Sequence, residues 1–145
     1  MSHTRRLLLL VALGCTLLAS GCASFRQDRS LARAQATPPT PVEGLWTGEW
    51  KDAKRPDHGG RVEAVLTRTG DQLYRFAARS HWWRVFRSAY DTTLVLTPTS
   101  AGDFLVRGDK SLWLFGNYTV TGRADANRME LVYQVGDHEG RMTLH

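Results

Sequence analysis

From Gly44 to Leu144 the chain is a succession of short runs of β-forming residues, divided at nearly even spacing by Gly, Asp, Asn and Pro. Runs bounded in this way read as strands, and no segment sustains the 3.6-residue period of a long helix. The strands fall at Leu45–Trp50, Arg61–Arg68, Gln72–Arg79, Tyr90–Thr97, Phe104–Arg107, Leu112–Thr121, Met129–Val135 and Arg141–Leu144. Turn signals separate them, among them Thr69-Gly70-Asp71, Gly108-Asp109 and Gly136 to Glu139. Alternation places Val62, Ala64 and Leu66 on one face, as it does Tyr74, Phe76 and Ala78, and Met129, Leu131, Tyr133 and Val135.

Short connections make consecutive strands antiparallel neighbours. The expected fold is therefore all-β, a single antiparallel eight-stranded meander that closes into a small barrel and leaves no open edge, with a two-sheet sandwich as the alternative. Residues 43–145 suffice for one domain with one core. Both cysteines, Cys15 and Cys22, precede that domain, so no disulfide is left to brace it and packing must supply its stability.

The domain opens on Gly44-Leu45-Trp46-Thr47-Gly48-Glu49-Trp50, which contains the Gly-x-Trp triplet that starts the first strand of lipocalins. In strand number and spacing the chain resembles that family. The resemblance implies a lipocalin-like barrel in which an Arg of the last strand, here Arg141, stacks on Trp46 and closes one end by a cation–π contact. No C-terminal helix follows the last strand, and the strands are short. The domain is also similar to uncharacterised secreted and lipid-anchored bacterial proteins, on Trp46-x-Gly48-x-Trp50, His58-Gly59-Gly60, Tyr118, Gly122, Tyr133, Asp137 and Gly140.

Ahead of the domain, Arg5 and Arg6 precede an apolar run from Leu7 to Leu18, then Ala19-Ser20-Gly21-Cys22. A bilayer-spanning helix needs about 20 apolar residues, so the run is too short to stay in the membrane as one. The pattern resembles a bacterial lipoprotein precursor. That resemblance implies a signal peptide over residues 1–21, a diacylglyceryl group on the Cys22 thiol, cleavage before Cys22 and, with Ala23 and Ser24 following, sorting to the outer membrane, on its periplasmic side or its surface. Several acyl chains make such an anchor effectively permanent. Residues 22–42 are expected to be a flexible tether, ending in Thr37-Pro38-Pro39-Thr40-Pro41, with a brief helix at most over Ser30 to Ala36. A tether leaving from Gly44 would turn the opposite rim of the barrel away from the membrane.

The formal charge of +5 rests on Arg5, Arg6, Arg26, Arg29 and Arg33; without them 14 basic residues face 14 acidic ones. The basic excess lies where lipid head groups would meet it, and nucleic acid is not an expected partner.

The densest mixture of aromatics and cations is Arg79-Ser80-His81-Trp82-Trp83-Arg84-Val85-Phe86-Arg87. The spacing of Trp82, Trp83, Val85 and Phe86 predicts one helical turn at a barrel mouth, where Trp82, Trp83 and Phe86 with Arg84 are the candidate ligand-binding residues for a small apolar or amphipathic molecule. The competing reading is a filled barrel that serves an envelope protein partner. A meander brings His58, His81 and His138 to one rim, with Asp57, Asp137 and Glu139, which makes them the candidates for a metal-dependent hydrolase. Histidines in loops are usually solvated, and no tight ligand spacing supports such a site. No nucleophile elbow, phosphate loop or catalytic thiol occurs, so neither an enzyme nor a cofactor is expected.

Overall fold

The computed structural model describes residues 24–35, 38–82, 86–112 and 116–145, with the side chains of Trp82, Phe86, Arg87 and Leu112 left out. Eight antiparallel strands follow one another round a closed barrel: β1 (Gly44–Asp52), β2 (Gly59–Arg68), β3 (Leu73–Trp82), β4 (Phe86–Pro98), β5 (Phe104–Leu112), β6 (Gly116–Ala124), β7 (Met129–Val135) and β8 (His138–Leu144). β1 closes the barrel against β8, from Gly48↔Leu144 to Asp52↔Gly140. The β2–β3, β4–β5 and β6–β7 turns lie at the end where the chain enters β1, hereafter the near end. The other hairpins lie at the far end.

Several strands run longer than the sequence reading gave them, and two hairpins differ from it in kind or place. β5 runs straight through Gly108-Asp109, and the β5–β6 hairpin comes after Leu112 instead. Gly108 serves packing rather than turning: a Cβ there would lie 2.6 Å from Leu94 Cδ2 and 3.0 Å from Val120 Cγ1. The helical turn expected at the β3–β4 hairpin also gives way, since Trp82 and Phe86 pair as strand residues. Trp83 and Arg84 lie outside the described residues.

Alternation fills the interior. Leu66, Phe76, Leu94, Leu96, Met129, Leu131 and Leu144 are among the most deeply buried side chains, and they occupy the near half. Val42, fully buried just before β1, stoppers that end, and its carbonyl accepts a 2.9 Å hydrogen bond from Trp46 Nε1.

The expected tether is largely structured. Residues 24–34 form a helix, α1, lying against the outer wall, and Val42 belongs to the core. Phe25 is 2% exposed between Val65 and Ala77, with Ala32 and Leu45 completing this small outer cluster. Arg79 stacks on the Phe25 ring at 5.2 Å. Arg29 pairs with Glu63 at 2.8 Å and Asp28 with Arg75 at 2.9 Å. Residues 25, 28, 29 and 32 share one helical face, but only Phe25 and Ala32 of the four are apolar, and the rest of the face is held by ion pairs. A hydrophobic-period reading is blind to such a helix.

The strand register fixes the direction of α1. Leu45, Val65, Ala77 and Asp91 form one row across β1, β2, β3 and β4. Three strand spacings cover about 14 Å, and an eleven-residue helix about 16 Å, so α1 crosses the strands along this row. Its first turn lies over β3, and Ser24 and Phe25 there border a cleft with Tyr90 and Asp91 of β4.

Candidate functional site

Inward positions of the far half carry polar and aromatic residues where the near half carries Leu, Met and Phe. Ser80 on β3, Tyr90 and Thr92 on β4, Tyr118 on β6, Tyr133 on β7 and Met142 on β8 surround a cavity of about 270 Å³. Trp50 forms its side toward β1, and Ser80 and Ser88 face each other with a hydroxyl-to-hydroxyl distance of 2.7 Å. The volume sits just below the roughly 300–1,000 Å³ of ordinary ligand pockets, which suits one slim apolar group rather than a large ring system.

Tyrosines form the spine of this cavity. Tyr90 and Tyr118 meet edge to face at 6.2 Å between centroids, and Tyr118 stacks on Tyr133 at 6.5 Å with 24° between planes. The Tyr133 ring lies across Gly140, its cross-strand partner; a Cβ there would come 2.2 Å from the phenol oxygen. Glycine is thus needed opposite this ring, an aromatic covering the gap a glycine leaves in a sheet. Gly60 opposite Trp50 repeats the arrangement, with a Cβ position 3.0 Å from the indole nitrogen.

Polar capacity inside the cavity is underused. Thr92 Oγ1 is buried with no hydrogen-bond partner among the described residues, the Tyr118 hydroxyl is buried with only the Tyr90 hydroxyl beside it, in poor geometry, and Tyr90 directs its own hydroxyl at Met142 Sδ, 3.6 Å away. Burial raises the Tyr90 phenol well above its ordinary pKa, reinforced by Tyr118 and Tyr133. Burial likewise pushes Tyr118 up to about 12. Tyr133 also rises to about 12, from burial first and then the nearby Asp52 carboxylate. All three stay neutral at physiological pH, so they offer hydrogen bonds and ring faces, not a base or an anionic nucleophile.

The wall of the cavity has a seam. The β3–β4 ladder continues to Trp82↔Phe86 and the β5–β6 ladder to Leu112↔Gly116, but β4–β5 pairing stops at Val95↔Arg107. Beyond that point toward the far end the two hairpins part. Lys110 occupies an inward register position, two residues on from Gly108 and four from the buried Val106. A charge is tolerated there because the open seam lets its amine out: Lys110 Nζ donates to the Asp91 carbonyl at 2.8 Å and lies 3.4 Å from Asp91 Oδ1. The lysine takes up a carbonyl that an unbroken ladder would have bonded.

The residues expected from the sequence distribute unevenly around this site. Trp82 and Phe86 pair just beyond Ser80 and Ser88, which places the β3–β4 hairpin at the cavity's rim; their side chains, and Trp83 and Arg84 entirely, lie outside the described residues. Trp46 is buried in the near half, whereas Arg141 is exposed on the outer face of β8 and pairs with Lys51, five residues along β1 from Trp46. The two do not stack. Gly140 and Met142 hold the inward positions of β8, so alternation turns Arg141 out. His58 lies edge-on to Trp50 at 5.6 Å, His81 pairs with Arg87, and His138 is exposed beside the β7–β8 turn. All three sit toward the far end, but among the described residues no group of three His, Cys, Asp or Glu side chains is gathered as for a metal.

Tyr90, Thr92, Tyr118 and Lys110 were not singled out as site residues from the sequence. Their signal was available in the alternation: along one inward face, Tyr90 and Thr92 give way to Leu94 and Leu96, a change from polar to aliphatic that marks where a filled core becomes a lined cavity. No protein-family model, curated protein or solved structure matches the chain.

Proposed function

We propose that this protein is a lipid-anchored envelope lipoprotein whose barrel, lipocalin-like in kind, binds a small apolar or amphipathic molecule in its far half. The observation that carries this reading is the cavity of about 270 Å³ lined by Tyr90, Tyr118 and Tyr133, with the buried hydroxyl of Thr92 on its wall lacking a hydrogen-bond partner among the described residues. An apolar chain would replace water along the ring faces, and each buried methylene contributes about 0.8 kcal/mol. Thr92 and Tyr118 would orient a polar atom. Lys110 at the seam, 3.4 Å from an Asp91 carboxylate oxygen, would meet an anionic end.

The anchor half of the reading rests on the run from Arg5 to Cys22. Cys22→Ser should abolish palmitate incorporation and release the protein from the membrane fraction; labelling that survives the substitution overturns the anchor. For the cavity, calorimetric titration with carboxylates of eight to sixteen carbons, and native mass spectrometry of the same mixtures, provide the test. One equivalent bound at micromolar concentration is expected. No binding at any chain length overturns the binding reading.

A further inference from the structure

Three openings converge on one residue. The interior cavity and a polar groove on the outer wall share Asp91, Thr92 and Lys110. The cleft beside the first turn of α1 shares Tyr90 and Asp91 with the cavity. The seam between β4 and β5 therefore connects the inside of the barrel to a stretch of its flank, and α1 begins on that flank.

The start of α1 is held there firmly. Phe25 is buried against Val65 and Ala77, and Arg75 joins Asp28 of the helix at 2.9 Å to Asp91 of the seam at 3.4 Å. Cys22 precedes Ser24, where α1 begins, by two residues of the sequence. The acyl chains proposed for Cys22 would leave the protein beside the seam. Toward the near end, the same wall exposes Leu73, Val95 and Leu105, at 41%, 39% and 46%, with Leu73 and Val95 directly paired. Adjacent exposed apolar side chains next to a lipid attachment point fit a surface laid on a bilayer. An anchor on the flank also replaces the geometry of a tether leaving from the end of the barrel, which would have turned the cavity away from the membrane.

We infer that the β4–β5 seam is a side door facing the membrane, through which a single acyl chain of an anionic bilayer lipid passes between Thr92 and Lys110 into the cavity. Lys110 is its latch. The ammonium is held by Asp91; with a chain inside it transfers to the carboxylate or phosphate at the lipid's end, and the polar groove outside retains that head group near water. Thr92 and Tyr118 lie on the path and Tyr133 behind them. This deepens the binding reading above and depends on it.

The test loads the full chain, purified from membranes with its anchor, with a brominated acyl chain and follows quenching of tryptophan fluorescence, since Trp50 lines the cavity. Bromododecanoate in solution tests the cavity itself: quenching that Trp50→Phe diminishes is expected, and its absence would overturn the cavity reading and the door with it. Vesicles containing a bromo-acyl phosphatidylglycerol test the door. In Thr93→Cys/Asp109→Cys, exposed positions that flank the seam beside Thr92 and Lys110, the reduced protein should load as the parent does, and a short bis-thiol cross-link across the seam should slow loading at least tenfold, reversibly with reductant. Solution binding with unchanged loading after cross-linking would overturn the door and leave the cavity standing. Lys110→Met should load severalfold faster than the parent and bind the carboxylate at least fivefold more weakly; parental values of both would remove the latch. Cys22→Ser should load from vesicles at least tenfold more slowly than the anchored protein, and equal rates would overturn the membrane-facing orientation.

Discussion

The near and far halves of this barrel are built from the same strands with the same alternation, yet one is solid and the other hollow. In the near half, inward positions carry Leu66, Phe76, Leu94, Leu96, Leu131 and Leu144, and Val42 closes the end. In the far half the corresponding positions carry Ser80, Tyr90, Thr92, Tyr118 and Tyr133, whose rings pack on one another and line the space rather than fill it. The β4–β5 ladder also ends where the halves meet, at Val95↔Arg107. A domain without a disulfide concentrates its stability where the core is dense, which leaves the other end free to carry a cavity and an open seam.

The sharpest way to break this comparison is to excavate each half in turn. Phe76→Ala in the solid half should cost about 3–5 kcal/mol in a urea unfolding experiment, the usual range for a fully buried ring. If its loss costs less than about 1 kcal/mol, the near half is not the stabilising core and the contrast fails.

Next in size is the outer wall. Phe25→Ala removes the one large apolar side chain with which α1 docks, at a cost of about 2 kcal/mol. Ion pairs between Arg29 and Glu63 and between Asp28 and Arg75 are partly exposed and contribute about 1 kcal/mol or less each. The helix should therefore release as a unit while the barrel stays folded, read as fast amide exchange over residues 24–34 with protection retained in β2 and β3. Protection of the helix unchanged by the substitution would show that the ion pairs, not Phe25, hold it.

Alkali distinguishes the halves chemically. The Tyr118 phenol ionises near pH 12 in the folded protein and around 10 in the unfolded chain, so its contribution is complete below pH 10 and is lost as pH rises from 10 toward 12. The slope approaches about 1.4 kcal/mol per pH unit for each such phenol. Unfolding curves between pH 9 and 11.5 should show this loss in the parent and in Phe76→Ala alike, and a shallower one in Tyr118→Phe. A parent stability flat over that range would mean that the tyrosines are not desolvated.

The solid half was legible in the sequence because its signal is apolar alternation, as in Val62, Ala64 and Leu66 and in Met129, Leu131 and Tyr133. The eight strands and their closure followed from it. The hollow half was less legible: Tyr90 and Thr92 on an inward face look like ordinary half-buried strand residues until a register shows what stands opposite. Lys110 was invisible for a stronger reason. Its role depends on the ladder ending two to three residues earlier, a long-range property that no local pattern encodes. Gly108 misled in the opposite direction, since a glycine before an aspartate signals a turn although here it makes room for Leu94 and Val120. Of the helix over residues 24–34 only the end was foreseen, as a brief helix over Ser30 to Ala36, because ion pairs to Glu63 and Arg75 provide much of the contact of the rest. Arg141 was placed on the correct strand, but stacking on Trp46 required its inner face; it lies on the outer one, as alternation from Met142 and Leu144 would have settled.

Tyr118→Phe carries the smallest energetic effect and the finest test of what the far half is for. Below pH 10 the substitution deletes a buried hydroxyl whose contact with the Tyr90 hydroxyl is poorly aligned, so stability should change by less than about 1 kcal/mol, the lost contact and the relieved cost of keeping that oxygen from water nearly offsetting each other. The stacking on Tyr133 and the edge contact with Tyr90 survive, since both involve the ring rather than the oxygen. If the hydroxyl is held in reserve for a ligand, affinity for a long-chain carboxylate should fall about three- to tenfold, the effect of one neutral hydrogen bond. A variant as stable as the parent but weaker in binding identifies a group retained for recognition rather than for folding. A variant as stable as the parent with undiminished affinity shows the hydroxyl to be incidental, and then the polar lining of the hollow half needs another explanation than a ligand.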